Sequence, residues 1–192
     1  MNTTSILLTG VGGQGTILIS KILAAGLAGM GYDVKMSEIH GMSQRGGTVN
    51  TQIRYAEKVY SPTIGLGEAD MIVSFEKVEA LRALPYLKQG GVVVTDDKEI
   101  YSMPVLTGDA VYPHDALEQM TAAGCTVQVV PAARLAEEMG NIKVQNILLL
   151  GALVKALGIA DKADWEGILS SMVPQKLVEL NVAAYRKGLA LS

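Results

Sequence analysis

Cysteine is almost absent from this chain, with Cys125 the only one among 192 residues. A single thiol forms no internal disulfide and cannot hold an iron–sulfur cluster, which takes several thiolates. Redox chemistry on the chain's own sulfur is thereby excluded, and a reducing cytoplasm is the expected compartment. Set between Gly124 and Thr126 ahead of an apolar run, Cys125 reads as a small buried hydrophobe. An excess of either charge is also missing. Sixteen basic residues against nineteen acidic ones leave a net charge of −3, with no basic face for nucleic acid and no polybasic patch for a membrane. Nor is there a long apolar run: Ile147–Leu157 falls well short of the roughly 20 residues that span a bilayer, and Lys155 lies within it. The amino-terminal run has no basic region before it and stops at Gly10, unlike a signal peptide. A soluble protein without a membrane segment is expected, and no metal site.

What is present suits a folded globular domain: 49% of the residues are hydrophobic and 18% charged. A chain of this length buries a core without disulfides. With no repeat, low-complexity tract or linker, residues 1–192 read as a single domain. Ser5–Thr9 reads as a buried strand and Thr16–Gly29 as a helix apolar on nearly every side. Asp33–Ser37 is a short second strand. Val49–Tyr55 alternates apolar and polar residues as a strand does, and a partner around Lys58–Tyr60, turned near Ala56, is expected to pair with it antiparallel. Met71–Ser74 and Val92–Thr95 are further strands, separated by a helix from Lys77 to Leu84 that Pro85 ends and by a turn at Gln89-Gly-Gly91. Asp115–Ala123 is helical, and Thr126–Val130 is a strand. Pro131 opens the helix Ala132–Met139. Val144–Leu157 and Pro174–Lys187 close the chain as helices. The alternation predicts an α/β fold, a three-layer α/β/α sandwich around a Rossmann-like, mostly parallel sheet with part of it antiparallel.

Gly10-Val-Gly12-Gly13-Gln14-Gly15 matches the G-x-G-x-x-G spacing between a strand and a helix that begins at Thr16. Glycines permit a tight turn and close approach to a phosphate, and free N–H groups at the helix start attract an anion. The same glycines would also serve close strand–helix packing alone. A dinucleotide enzyme further wants an acid at the end of its second strand to hold the ribose. Asp33 comes before that strand and Glu38 late, which weakens a stand-alone NAD(P)-dependent reading without removing it.

Glu38 instead opens a segment, to Gly47, that gathers a carboxylate, the His40 imidazole, the Ser43 hydroxyl, the Gln44 amide and the Arg45 guanidinium before Gly46. Loops after strand ends sit at the ligand crevice of open α/β sheets, so these groups are expected to face the glycine loop. Arg45 is the best anion binder, its planar fork matching phosphate or carboxylate. His40 can orient a ligand or exchange a proton near neutral pH. His40 and Arg45 are therefore the catalytic candidates, with a solvated loop or a subunit contact as the alternative. Asn146, on the long apolar helix, either reaches the same crevice or is a satisfied core amide.

Thr9-Gly-Val-Gly-Gly-Gln-Gly-Thr16 together with Ser37-Glu-Ile-His-Gly-Met-Ser-Gln-Arg-Gly-Gly-Thr-Val49 resembles the gamma-type domain of 2-oxoacid:ferredoxin oxidoreductases, as does Gly140-Asn-Ile-Lys-Val-Gln-Asn-Ile-Leu-Leu-Leu-Gly-Ala-Leu153. The resemblance spans nearly the whole chain. His40–Gly47 is most similar to the indolepyruvate branch of that family, the small or beta subunit there; the pyruvate, 2-oxoglutarate and 2-ketoisovalerate branches are the alternative. By resemblance the complete enzyme, of the EC 1.2.7 type, oxidatively decarboxylates a 2-oxoacid to acyl-CoA and carbon dioxide and passes electrons to ferredoxin. Thiamine diphosphate and iron–sulfur clusters are then expected on a larger partner subunit, since this chain lacks the thiamine-type Gly-Asp-Gly and Asn-Asn pair. The chain alone is expected to be inactive. Its implied share is to close the acyl-transfer site and help hold CoA, with Gly10, Gly12, Gly13, Gln14, Gly15, Thr16, Glu38, Ser43, Gln44, Arg45, Gly46 and Asn146 as the binding candidates. An inert structural subunit whose loops serve only the partner interface is the remaining reading.

Overall fold

The structure is a computed structural model that describes residues 3–40 and 47–191, with His40 described by its backbone alone. Its middle layer is a six-stranded sheet of β1 (Thr4–Val11), β2 (Asp33–His40), β3 (Thr48–Ala56), β4 (Ala69–Ser74), β5 (Leu87–Thr95) and β6 (Thr126–Val129). They lie side by side in the order β2-β3-β1-β4-β5-β6. Only β3 runs against the others, pairing antiparallel with β1 and β2, while β1, β4, β5 and β6 pair in parallel. The apolar strand runs follow from helices on both faces of the sheet. Ile6, Leu8, Met71, Val73 and Val94 point to one face, whereas Leu7, Ile72 and Val93 point to the other, the two-residue period of a strand.

The first face carries α1 (Thr16–Gly29), α5 (Ala132–Glu138), α6 (Gln145–Ala156), α7 (Trp165–Met172) and α8 (Val178–Ala190). The second carries α2 (Lys77–Ala83) and α4 (Ala116–Ala122), and α3 (Met103–Thr107) lies on the connection between β5 and α4. The expected three-layer α/β/α fold is the one that forms. Helix α6 is buried from Gln145 through Val154 because β5, α1, α5 and α8 all pack on it, which explains its lack of a polar side. Among the described residues no helix is long and apolar enough to cross a membrane.

Three expectations need correction. Lys58–Tyr60 forms no strand: the Asp33 carboxylate accepts the Val59 N–H at 3.0 Å and meets Lys58 Nζ at 3.6 Å, pinning that segment as a loop. The antiparallel partners of β3 are β2 and β1 instead. Gln89-Gly-Gly91 is not a turn but part of β5, where a register shift and a left-handed Gly90 (φ 76°) absorb it as a bulge. The last helix begins at Val178, behind a 3-10 turn at Gln175–Leu177, rather than at Pro174. Two helices went unforeseen although their caps are in the sequence. The Asp164 carboxylate caps α7 by accepting the Gly167 N–H at 2.9 Å. Short α3 follows Ser102, has Pro104 in its first turn and ends at left-handed Gly108.

Helices α6 and α8 cross backbone to backbone at Gly151 and Gly188. A Cβ on Gly188 would drive into the Leu148 carbonyl oxygen and come within 3.1 Å of the Gly151 Cα, groups that cannot swing aside. Gly29, at the end of α1, faces open space. Gly188→Ala should therefore destabilise by about 1–3 kcal/mol in urea unfolding, while Gly29→Ala should be neutral or stabilise by up to about 1 kcal/mol. Equal effects of the two substitutions would contradict this close crossing.

Candidate functional site

The carboxyl ends of β1, β2, β4 and β5 and the start of antiparallel β3 meet at one edge of the sheet. There β1 gives way to Gly12–Gly15. Gly13 (φ 98°) and Gly15 (φ 82°) adopt left-handed backbone, which the loop needs to enter α1 directly. Gly10 is required for space instead, since a Cβ there would fall 2.7 Å from Gln14 Oε1 and 3.1 Å from Phe75 Cβ. Gln14 faces inward: its Oε1 accepts the Val11 N–H at 2.7 Å, and its Nε2 donates to the Phe75 carbonyl at 3.0 Å. The Gly12 N–H donates to the Gly47 carbonyl at 3.0 Å, tying the loop to the start of β3. No described residue accepts the N–H groups of Gly13, Gly15, Thr16 or Ile17. These donors sit at the positive end of a 14-residue helix, the arrangement that holds phosphates.

Behind the loop lies a polar hub. Gln145 Nε2 also donates to the Phe75 carbonyl, at 3.1 Å, and reaches Asp96 Oδ2 at 2.8 Å. The same carboxylate oxygen accepts the Ala133 N–H at 2.8 Å. Asp96 is wholly buried, and loss of hydration pushes its carboxyl from 3.8 up to about 7, against the pull of the Ala133 N–H, with Asp97 adding to the rise. Asn146 Nδ2 donates to the Gly15 carbonyl at 3.3 Å, while its Oδ1 is buried without a partner among the described residues.

The glycine loop is a ridge between two crevices. On one side Gly12, Gly13, Gly15, Thr16 and Ile17 face Glu38 and Val49 across a space of about 410 Å³. On the other, Gly13–Gly15 face Asn146, Lys98 and Lys143 over an apolar floor that includes Leu18 and Leu177, in a space of about 400 Å³. Neither lysine ammonium has an acidic partner among the described residues. The fold thus brings together Gly10, Gly12, Gly13, Gln14, Gly15, Thr16, Glu38 and Asn146. Ser43, Gln44, Arg45 and Gly46 lie outside the described residues, as does the His40 side chain. Sequence reasoning passed over Asp96, Lys98, Lys143 and Gln145. Their signals were a polar Thr-Asp-Asp-Lys at a strand end and the Asn-Ile-Lys-Val-Gln-Asn run that opens α6.

A six-stranded sheet with one reversed strand, entered through a glycine loop whose Gly13 and Gly15 N–H groups find no acceptor among the described residues, defines an α/β/α domain of the Rossmann-like type. Residues 5–191 match the family model described as pyruvate ferredoxin/flavodoxin oxidoreductase, and the chain belongs to that family. It is 38% identical over 192 residues to indolepyruvate oxidoreductase subunit IorB of Thermococcus kodakarensis, covering 98% of this chain and 95% of that one. The subunit of the same name from Pyrococcus horikoshii is 37% identical over 194 residues, with the same coverage. Among solved structures, the gamma subunit of keto/oxoacid ferredoxin oxidoreductase from Geobacter sulfurreducens superposes with a TM-score of 0.71 at 25% identity, covering 97% of this chain and 96% of that one.

The Asp96 carboxyl is harder to ionise in the folded chain, so the folded state holds more protons across the interval between the two values. Its contribution is full below the unfolded value of 3.8 and is lost as pH rises to about 7. Asp96→Asn stays uncharged throughout. Unfolding free energies should show wild type losing stability relative to this variant between about pH 4 and 7; parallel pH curves would contradict a raised, buried carboxyl.

Proposed function

We propose that this chain is the small subunit of a ferredoxin-dependent 2-oxoacid oxidoreductase whose substrate is indolepyruvate or a related arylpyruvate. The observation that carries the reading is the pair of relatives named as indolepyruvate oxidoreductase subunits, aligned over essentially their whole length. The reaction joins the acyl group of the 2-oxoacid to the CoA sulfur and releases carbon dioxide, and two electrons leave one at a time to ferredoxin. Thiamine diphosphate, on the larger subunit, supplies the carbanion chemistry. One cysteine offers no ligand set for a cluster, so the electron path is assigned to that subunit as well. The assembly works in the cytoplasm.

This chain's own contribution is to bind and orient CoA. The free N–H groups of Gly13, Gly15 and Thr16 and the ammoniums of Lys98 and Lys143 suit the CoA phosphates, which need donors and positive charge. The orphaned Asn146 Oδ1 suits an N–H of the same ligand. Arg45, beyond the other crevice's Glu38 in sequence, is assigned to a second anionic group by its chemistry alone. Holding the phosphates fixes the reach of the thiol toward the partner's acyl group, and closure over that site keeps water from the acyl intermediate.

Purified large and small subunits, assayed apart and mixed with indolepyruvate, phenylpyruvate, pyruvate or 2-oxoglutarate, CoA and a one-electron acceptor, test the assignment. Turnover should require both chains and should favour the aryl substrates. Turnover by the large subunit alone, or a preference for 2-oxoglutarate, would contradict it. In the mixed enzyme, Lys98→Gln combined with Lys143→Gln should raise the KM for CoA about tenfold and leave that for the 2-oxoacid unchanged.

A further inference from the structure

A third cavity, of about 510 Å³, opens at the same sheet edge, between the ends of β1 and β3 (Val11, Thr48) and the connection that carries α3. Two acidic side chains stand in its lining, both nearly buried. Glu76 caps α2 by accepting the Glu79 N–H at 2.8 Å, and its other oxygen accepts from the Tyr112 hydroxyl and the Ile100 N–H. No cation pairs with it among the described residues. Lys77, the next residue, is committed elsewhere: its Nζ lies 2.6 Å from Glu99 and donates to the His114 carbonyl at 2.9 Å. Glu79 meets Arg82 at 2.7 Å through Oε1, but its Oε2 is buried with no partner among the described residues. Of the two carboxylates only Glu79 meets a guanidinium, itself 56% exposed, which leaves one carboxylate in excess. The rim is apolar and wet: Tyr101 is 44% exposed, Met103 68%, Leu106 63% and Val111 91%.

We infer that this groove docks the larger subunit, which inserts a lysine or arginine flanked by apolar side chains, the cation reaching the Glu79 carboxylate and its neighbours covering the Met103–Leu106–Val111 rim. The inference rests on the small-subunit reading above. Charge complementarity selects the occupant: a site with one carboxylate in excess and an unpaired carboxylate oxygen calls for a cation, and an apolar wall calls for a long aliphatic stem. Clustered apolar side chains left in water mark an association surface. A subunit seated here would also lie against the strand end that carries the glycine loop, where a partner's acyl site has to be.

The test is the affinity of the purified large subunit for this chain, measured with Leu106→Asp, Val111→Asp, Glu79→Gln and, as a remote control, Leu66→Asp, whose native side chain is 71% exposed. The first two substitutions lie on exposed side chains and should leave thermal unfolding unchanged while weakening association at least about tenfold. Glu79→Gln should weaken it and reduce its salt dependence, and Leu66→Asp should do neither. Failure of wild type to bind the large subunit would overturn the small-subunit reading and this inference together. Wild-type binding with undiminished affinity in the rim variants would overturn the inference alone. So would a self-association of the chain that those variants abolish, because the occupant would then be a second copy.

Discussion

Two glutamine amides converge on one carbonyl oxygen, that of Phe75, and the whole carboxyl edge of the sheet is organised around it. Gln14 reaches it from the glycine loop and returns its own oxygen to the Val11 N–H, so the loop is clamped to the end of β4. Gln145 reaches it from the first turn of α6 and carries the connection on to Asp96, at the end of β5, and to the start of α5. Five elements distant in sequence thus share a single network. Such networks hold their geometry only when nearly every member is satisfied. Asn146 Oδ1, beside the loop, is the exception, and it lines the crevice where the free loop N–H groups also open.

Much of the fold could be read along the chain, because a sheet covered on both faces writes its strands as short apolar runs bounded by glycine and proline. What misled was pairing. Val49–Tyr55 reads as a strand, and Lys58–Tyr60, only a short turn away at Ala56, reads as its partner, although Gly46-Gly47 offers a turn toward β2 as well. Asp33 decides the matter, since it holds Val59 and Lys58 as a loop. The bulge at Gly90 and the isolated caps at Ser102 and Asp164 are local chemistry that periodicity does not register.

The site was legible in part and for a definite reason. The loop announces itself because left-handed backbone at Gly13 and Gly15 and close approach at Gly10 favour glycine there. The spacing could not say which side of the loop would hold a ligand, nor that Gln14 would turn inward. Asp96, Gln145, Lys98 and Lys143 come from strand ends and helix starts dozens of residues apart, and only the topology places them together. Under the proposed function, a subunit with one cysteine presents donors and cations and leaves electron transfer and carbanion chemistry to its partner.

The central claim is that the Phe75 carbonyl couples the glycine loop to α6 as one preorganised unit. Amide hydrogen exchange in a Gln145→Met variant tests it most directly, because Gln145 lies outside the loop. The Val11, Gly12 and Gln14 amides, all internally bonded, should lose protection at least about tenfold together with the α6 amino-terminal turn. Faster exchange confined to α6, with the loop amides as protected as in wild type, would contradict the coupling and leave the loop's geometry to its glycines alone.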